Sequence, residues 1–496
     1  MSRAAKLVTW GAAAAAAAAG LVGAKRVREA GGTAQSGPVS HLDRTGRNKR
    51  VVGLGAKGGA DYAVHRAKRV FASAGRRENL DREFEVRTAE QVVETLGNMK
   101  GALMKIGQMA SFLDQGMPEH VREILAQLQA DAPPMSIDLV DQVVRDELGA
   151  APVDVFAEFD PDPIAAASIG QVHRAITPEG DAVAVKVQYP GVDEAIRSDL
   201  ANADAIFIGL QTLFPGLDPD SIADELRARI TEELDYESEA ANQQLFADYY
   251  RDHPFISVPD VHTKYSSRRV LTTALAEGVP FSEMLGWGQE QRNLAAEAIY
   301  RFAFGSIYQL GAFNGDPHPG NYLFQPDGHV SFLDFGLVKR FDDEALVGFK
   351  DLLNAMVFEP DASRFRAQVE TLGLLKPDQP YADQEVVDYF GHFYDFVRSD
   401  GQYTISNEYA AATVRHIFNP SGRFAEIRRS ANVPPDFVII QRINLGLLAL
   451  FGQLNATGNW RRVADELWPW VDGPPSTPMG ERSMTWRRAQ GQSATS

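Results

Sequence analysis

The chain has 496 residues, of which 44% are hydrophobic and 23% charged, as in an ordinary globular protein that could hold two or three domains. Its 66 acidic residues outnumber 49 basic ones, so we expect no nucleic-acid partner. The absence of cysteine excludes disulfides, thiolate catalysis and cysteine-ligated metals.

The N-terminal region begins with an uncharged stretch, Leu7 to Ala24, which contains eight consecutive alanines and is flanked by basic residues. Its length is near the short limit for a spanning helix, so we expect a membrane-associated or weakly spanning helix. A targeting segment and a soluble helix are the alternatives. Residues 29–50 have the composition of a linker. The Gly53-Leu54-Gly55-Ala56-Lys57-Gly58 sequence lacks the βαβ context of a dinucleotide site.

The next part of the chain changes from helical to strand-like patterns. Apolar spacings of three and four predict helices between about Ala60 and Ala130, and a further helix covers Ile137 to Leu148. Short strands follow at 156–159, 170–176 and 182–187. The last two strands are separated by a turn at Pro178 to Asp181.

Helical patterns dominate the rest of the sequence. One helix is predicted within 221–250, strands recur near His262 and at 270–273, and the chain is mostly helical from Gly278 to about Trp470. The polar residues from 476 to 496 are expected to be disordered. This order predicts an α+β protein with a small sheet-bearing lobe followed by a larger helical lobe.

The strongest chemical signal is the sequence Asp316-Pro-His-Pro-Gly-Asn321, followed by Asp334-Phe-Gly. A predicted hairpin between them, with its turn at Gln325 to Gly328, brings Asn321 and Asp334 to the same end. Oxygen ligands of this kind suit Mg²⁺ with bound phosphates, which makes Asn321 and Asp334 candidate metal ligands. Asp316 is then left to orient or deprotonate an attacking hydroxyl or water. The spacing equals that of the protein-kinase catalytic loop and its D-F-G motif.

A kinase site also needs a lysine on a strand of the small lobe, and Ala184-Val185-Lys186-Val187 resembles the V-A-I-K signature. Its carboxylate partner should lie on a downstream helix. We favour Glu239, although Glu232 and Glu237 are also candidates from the sequence alone. The loop expected to cover the phosphates, Pro163 to Gly170, contains alanines where kinases have glycines, so we expect an altered nucleotide pose.

These features together resemble the UbiB-like (AarF/UbiB) atypical kinase family of coenzyme Q biosynthesis. The resemblance rests on the alanine-rich loop, the Glu233-Leu-Asp-Tyr helix, the Asp316 to Asn321 motif and a K-x-G-Q sequence at Lys105 to Gln108. It implies a protein-kinase-like bilobal fold with a helical K-x-G-Q extension that covers the nucleotide pocket. It also implies an insertion from Tyr189 to about Asp220.

The resemblance implies a role for each matching residue. The nucleotide-binding residues would be Ala165, Ala166, Ala167, Ser168, Ala184, Lys186, Thr273, Ala274 and Leu275. The catalytic residues would be Asp316, Lys186 and Glu239, the metal ligands Asn321 and Asp334, and the regulatory residues Lys105, Gly107, Gln108, Glu233 and Asp235. Thr273-Ala274-Leu275 departs from the family's usual hinge sequence, which puts the nucleotide preference in doubt.

The implied organisation is a hydrophobic segment at 1–28, a linker leading into helices at 29–85, and the extension at 86–155. The N-lobe follows at 156–278, the C-lobe at 279–475 and the tail at 476–496. The resemblance implies ATP and Mg²⁺ as cofactors, with a membrane lipid or quinone precursor and quinone-biosynthesis proteins as partners. We expect a cytoplasmic protein at the inner face of a membrane. A pseudokinase scaffold and a true protein kinase are the alternative functions.

Overall fold

The computed structural model describes residues 135–167, 169–192, 234–418, 422–432 and 434–491. The chain divides into two compact units: Met1–Pro178 with Val185–Leu234, and Glu179–Ala184 with Asp235–Ser496. Several predictions fall outside the described residues, namely the hydrophobic segment at 7–24, the linker, the K-x-G-Q motif and most of the insertion after Tyr189.

In the first unit, helix α1 (Ile137–Leu148) has the bounds that the sequence predicts. Its buried side chains Val140, Val143 and Val144 lie on one face, as the apolar spacing indicates. The helix ends at Gly149, whose φ of 82° favours glycine. A four-residue helix, α2 (Pro152–Val155), leads into the first strand.

The strands of the small sheet are β1 (Glu158–Ala166), β2 (Gly170–Ile176), β3 (Ala182–Gln188) and β5 (Val270–Ala274), in the order β1-β2-β3-β5. Alternation is clear in β3, where Val183, Val185 and Val187 are fully buried while the residues between them are only half-buried. Strand β1 differs from its prediction, because it starts two residues later and continues through the alanines to Ala166.

The second unit contains helix α3 (Tyr236–Tyr249) and a second four-stranded sheet. The strands of that sheet are β4 (Ile256–Ser257), β6 (Val279–Pro280), β8 (Tyr322–Phe324) and β9 (Val330–Phe332), in the order β4-β9-β8-β6. Strands β8 and β9 form the predicted hairpin, with Tyr322 opposite Phe332 and Phe324 opposite Val330. Gly328 in the turn has a φ of 88°. A separate two-stranded sheet is formed by β7 (Ala312–Asn314) and β10 (Val338–Arg340).

Helices form most of the remainder, as predicted. They are α4 (Phe281–Met284), α5 (Gln289–Leu310), α6 (Asp343–Leu353), α7 (Ala362–Thr371), α8 (Asp383–Phe390), α9 (Asn407–Phe418), α10 (Ala425–Ser430), α11 (Pro435–Leu454), α12 (Trp460–Leu467) and α13 (Pro478–Ala489). A short pair, β11 (Tyr403–Ile405) with β12 (Ala456–Gly458), interrupts them and was not expected from the sequence. No helix in the described ranges is both long enough and apolar enough to cross a bilayer.

The prediction of a disordered tail is wrong for Pro478–Ala489, which form α13. The side chains of Met479 and Trp486 on this helix are 2% and 7% exposed. The segment is polar overall and lacks an apolar stripe. Its order therefore comes from tertiary contacts that composition does not reveal.

A buried ionic network holds the start of this segment. Arg301 on α5 donates to Glu466 at 2.9 Å and to Glu297 at 2.8 Å, and the Arg301 and Glu466 side chains are 2% and 0% exposed. Glu466 also accepts hydrogen bonds from the backbone N–H and the hydroxyl of Ser476, at 2.8 and 2.6 Å. The network therefore links α5, α12 and the segment that leads into α13.

We expect Glu466→Gln to lower the free energy of unfolding by about 3 kcal/mol, because it leaves the buried Arg301 guanidinium with only one of its two carboxylate partners. Chemical denaturation would measure the change. Glu481→Gln, an exposed substitution on α13, serves as the control and should change stability by no more than about 0.5 kcal/mol. Equal effects of the two substitutions would contradict the structural role of the network.

His253 forms a second buried contact to α13. Its Nδ1 accepts a hydrogen bond from the backbone N–H of Ile256 at 3.1 Å, and its Nε2 lies 3.4 Å from the hydroxyl of Ser483. Burial, reinforced by the positive charges of Arg301 and Arg487, lowers the pKa of His253 to about 2. The folded protein therefore holds this imidazole neutral.

A histidine in the unfolded chain titrates near pH 6.5, so the stabilisation that a neutral His253 provides is complete above that pH and is lost as the pH falls. We expect wild-type stability to fall more steeply than that of His253→Gln between pH 6.5 and pH 4. The difference in slope should approach about 1.4 kcal/mol per pH unit. Urea unfolding at several pH values tests this, and parallel pH profiles would refute it.

Candidate functional site

The hairpin β8–β9 brings the two predicted metal ligands to one end. A 3₁₀ turn, Pro319–Asn321, ends immediately before β8, and Asp334 comes two residues after β9. The carbonyl oxygen of Asn321 accepts a hydrogen bond from the N–H of Leu333 at 3.0 Å, which fixes the two chain segments side by side. The geometry predicted for the hairpin is therefore present.

Asp316 is held against this end by Asn321. The Asn321 Nδ2 atom donates to Asp316 Oδ2 at 3.1 Å and to the Asp316 carbonyl oxygen at 3.2 Å. Because the amide nitrogen points toward Asp316, the amide oxygen is directed away from it. Burial and the nearby Asp316 carboxylate both raise the pKa of the Tyr322 hydroxyl, so this tyrosine stays neutral beside the site.

Asn314 is a site residue that the sequence analysis missed. Its Nδ2 donates to the carbonyl oxygen of Asp334 at 2.7 Å, and its Oδ1 accepts from the N–H of Asp316 at 3.2 Å. One side chain thus joins the loop that carries Asp316 to the loop that carries Asp334. The sequence feature that could have identified Asn314 is its position as a polar residue at the end of the otherwise apolar strand β7.

The Asp334-Phe335-Gly336 turn has its own support. The N–H of Gly336 donates to Asp334 Oδ1 at 3.0 Å, and Asn242 on α3 donates to the carbonyl oxygen of Phe335 at 3.3 Å. The Phe335 side chain is fully buried. These contacts fix the orientation of the Asp334 carboxylate.

Helix α3 places Glu239 next to the same turn. A Cβ atom added to Gly336 would lie 3.4 Å from Asp334 Oδ1 and 3.7 Å from Glu239 Oε2, so the two carboxylates flank this glycine. Of the three glutamates that the sequence left open, Glu239 is only 3% exposed, Glu237 is exposed and Glu232 lies outside the described residues. Of the two candidates that the structure describes, Glu239 is therefore the one beside the Asp334 turn.

Asp235 caps α3, because its side chain accepts hydrogen bonds from the N–H groups of Glu237 and Ser238 at 3.1 and 3.5 Å. This cap explains why the helix starts where it does. The predicted role of Glu233 and Asp235 in holding the extension stays a prediction, because Glu233, Lys105, Gly107 and Gln108 lie outside the described residues.

Lys186 belongs to the first unit and lies on the half-buried face of β3, on the same side as Ala184. Its pairing with Glu239 and the contact of Ala184 with adenine stay predictions.

The alanine-rich segment differs from the predicted loop. Ala165 and Ala166 are the last residues of β1 and pair with Val172 and Gln171. The N–H of Ala167 donates to the carbonyl oxygen of Gly170 at 2.9 Å, so the connection to β2 is shorter than the predicted loop from Pro163 to Gly170. Ser168 lies outside the described residues. A loop from Pro163 to Gly170 was expected because alanine alone does not distinguish a strand end from a connection.

The predicted hinge residues lie at the end of β5. The N–H of Ala274 donates to the carbonyl oxygen of Asp260 at 2.9 Å, and the N–H of Leu275 donates to that of Ala182 at 3.0 Å. Both N–H groups are therefore engaged within the protein. Thr273 is half-buried and forms an isolated β-bridge with Val261.

Comparison with known proteins identifies similar sequences. Residues 127–368 match the family described as the ABC1 atypical kinase-like domain. The chain is 33% identical over 289 residues to "Atypical kinase COQ8, mitochondrial" of Saccharomyces cerevisiae, covering 58% of this chain and 57% of that protein. It is 35% identical over 258 residues to "Atypical kinase COQ8B, mitochondrial" of Rattus norvegicus, covering 52% and 49%. The chain thus spans about half the length of the curated relatives it matches.

A similar solved structure is that of Rv3197 from Mycobacterium tuberculosis, described as a complex with erythromycin. It has a TM-score of 0.57 and 31% sequence identity, and the match covers 79% of this chain and 98% of the other. Together with the family match, it supports the predicted kinase-like fold, in which a sheet-bearing region precedes a helical region.

Gly315 lies very close to Leu337 and provides a test of the packing of the site. Its N–H donates to the carbonyl oxygen of Leu337 at 2.6 Å, and an added Cβ atom would lie 2.7 and 2.9 Å from two side-chain carbons of Leu337. We expect Gly315→Ala to lower the free energy of unfolding by about 1–3 kcal/mol, as overpacked substitutions do.

Gly401→Ala is the matched control, because an added Cβ atom meets nothing within 4 Å there. It should change stability by no more than about 0.5 kcal/mol. Equilibrium denaturation of both variants measures the difference. If the Gly315→Ala protein is as stable as Gly401→Ala, the loop before Asp316 can shift to accommodate the added methyl group at little cost in free energy, which would contradict the prediction.

Proposed function

The chain belongs to the ABC1 atypical kinase-like (UbiB-like) family, and we propose that it binds ATP and Mg²⁺ and transfers or hydrolyses the terminal phosphate. The observation that carries the proposal is the joined cluster of Asp316, Asn321 and Asp334 at one end of the hairpin. Because the chain spans only part of its curated relatives, the activity is proposed from these residues as well as from the resemblance.

The donor set fits Mg²⁺, which prefers carboxylate and carbonyl oxygens and retains several waters. Asn321 directs its amide nitrogen to Asp316, so its Oδ1 atom is available, and among the described residues that atom accepts no hydrogen bond. Asp334 would supply a carboxylate oxygen from the other side of the hairpin. When bound, the ion would neutralise the charge on the phosphates. The described residues hold no cluster of three or more histidine, aspartate or glutamate ligands, so the phosphates and water would complete the coordination.

Asp316 would orient the attacking hydroxyl or water and accept its proton. The hydrogen bond from Asn321 fixes one of its carboxylate oxygens and leaves the other to face the reactant. Asn314 acts as a positioning residue, since it fixes the backbones of Asp316 and Asp334 relative to each other.

In the proposed site Lys186 would contact the phosphates and pair with Glu239, while Ala165, Ala166, Ala167 and Ser168 would cover the nucleotide. Adenine would pack near Ala184, Thr273, Ala274 and Leu275. The N–H groups of Ala274 and Leu275 bond within the protein, so the base would need a different backbone donor.

Transfer to a small molecule or to water is favoured over phosphorylation of proteins. The end of β1 pairs through Ala166 and leaves a short connection, which lacks the glycines that let backbone N–H groups approach phosphate. We propose that Lys105, Gly107 and Gln108 cover the site, with Glu233 and Asp235 holding their segment in place.

The physiological role that we propose is in isoprenoid quinone or lipid metabolism, because the UbiB-like family acts in coenzyme Q biosynthesis. A membrane lipid or quinone precursor and quinone-biosynthesis proteins would be the partners. The uncharged segment at 7–24 would bring the protein to the inner face of a membrane. A scaffold that binds nucleotide without turnover is the second candidate.

We expect the full chain to release phosphate from ATP in a Mg²⁺-dependent manner and Asp334→Asn to lower the rate at least about 100-fold, because it removes a charged metal ligand. Asp327→Asn is the matched control: it lies on the turn of the same hairpin, and asparagine can still accept the hydrogen bond from His329 N–H. This control should retain the wild-type rate.

Addition of anionic vesicles that contain a phenolic isoprenoid should raise the rate if the substrate is a lipid. Nucleotide binding without turnover in every condition would refute the enzyme and favour the scaffold. Transfer of labelled phosphate to the protein itself or to added proteins, in place of water or lipid, would favour a true protein kinase.

A further inference from the structure

A cavity of about 170 Å³ lies within the helical part of the second unit. Its walls come from helices α5, α8, α11 and α12 and the segments between them. Protein interiors are close-packed and contain few voids larger than a water molecule. This space is partly open to solvent, so a small molecule can enter it.

The walls are almost entirely apolar. Aliphatic and aromatic side chains make up the described lining, apart from the carboxamides of Gln441 and Asn444, and none of the described lining residues is charged. Burial raises the pKa of the lining residue Tyr394 to about 12, so its hydroxyl is neutral. An ionised ligand would leave its charge without a partner, so the cavity suits a neutral molecule.

The two carboxamides lie on the same face of α11, three residues apart, within a row of apolar residues at helical spacing. That row consists of Phe437, Ile440, Leu447, Leu448 and Phe451. Among the described residues, neither Gln441 nor Asn444 has a hydrogen-bond partner, and both are only half-buried. A leucine would pack better in such a row. The two carboxamides are therefore the polar groups that water, or the polar group of a bound molecule, can reach in this otherwise apolar row.

The size of the cavity limits what it can hold. A dry, apolar cavity of about 150 Å³ accommodates benzene. A cavity of about 170 Å³ has room for one or two rings, and aromatic walls such as Phe304, Phe451 and Trp468 favour contact with ring faces or edges.

We propose that this cavity is a binding site for a neutral molecule of one or two rings that carries a hydroxyl or carbonyl group, with its oxygen bonded to Asn444 or Gln441. Asp316, Asn321 and Asp334 are not part of the lining, so the site is distinct from the hairpin cluster and does not depend on the proposed phosphate chemistry. Binding can therefore be tested without measuring turnover.

Equilibrium dialysis of the full chain against 2-naphthol and naphthalene tests the proposal, because these probes share a ring system and differ by one hydroxyl group. We expect saturable one-to-one binding of both, with 2-naphthol the tighter. The double variant Gln441→Leu/Asn444→Leu should weaken 2-naphthol at least about fivefold and leave naphthalene unchanged or tighter, since a buried hydroxyl would lose its partner. Gln402→Leu, an exposed change outside the cavity, is the control and should affect neither probe.

Ala464→Leu locates the site, since Ala464 on α12 lines the cavity and a leucine there would occupy part of its volume. This variant should lose most of the binding of both probes while keeping its circular dichroism spectrum. If it fails to fold, the comparison of the two probes in the double variant decides. Absence of saturable binding to the wild-type chain, or equal loss of both probes in the double variant, would overturn the proposal.

Discussion

The aromatic contacts around Phe335 are the constraint on which the candidate site depends. The Phe335 ring lies 5.0 Å from that of Phe246 on α3 and 6.4 Å from that of Phe302 on α5, measured between ring centroids. Phe302 in turn stacks on Phe332 of β9 at 3.6 Å. All four side chains are buried. Because Phe335 follows Asp334 directly, this cluster fixes the turn that carries the candidate metal ligand between two helices. Helix α3 also carries Glu239, so the same packing sets the positions of both carboxylates.

Helix α5 connects this cluster to the proposed cavity. Phe302 faces the hairpin, while Tyr300, Phe304 and Tyr308 recur every four residues and line the cavity. Two residues along a helix correspond to a rotation of about 200°, so these two sets lie on nearly opposite faces. The helix is fixed further by Arg301, whose buried ion pairs reach α12. The same helix therefore packs against the hairpin through Phe302, lines the cavity through Tyr300, Phe304 and Tyr308, and is joined to α12 through Arg301.

The features that the sequence predicts well are those set by local patterns. The bounds of α1, the hairpin β8–β9 and the shared position of Asn321 and Asp334 follow from apolar spacing, a turn signal and a short separation along the chain. Glu239 required the structure, because several glutamates lie close together in the sequence and, of the two that the structure describes, burial distinguishes the one beside Gly336. Residue type and spacing therefore predict which groups belong to a site, while contacts between distant segments decide which of several equivalent candidates reaches it.

The features that the sequence did not predict also depend on contacts between distant segments. The tail was expected to be disordered because its composition is polar, yet Glu466 binds Ser476 and the Trp486 ring contacts His253, more than two hundred residues earlier in the chain. Asn314 escaped notice because its function lies in two backbone contacts, to Asp334 and Asp316, that no motif encodes. Likewise, an alanine-rich segment predicts neither strand nor loop until its partner is known, and pairing with β2 makes Ala165 and Ala166 a strand. In each case the deciding free energy comes from groups that meet only after folding, so a single sequence leaves these elements undetermined even where the chemistry beside them is clear.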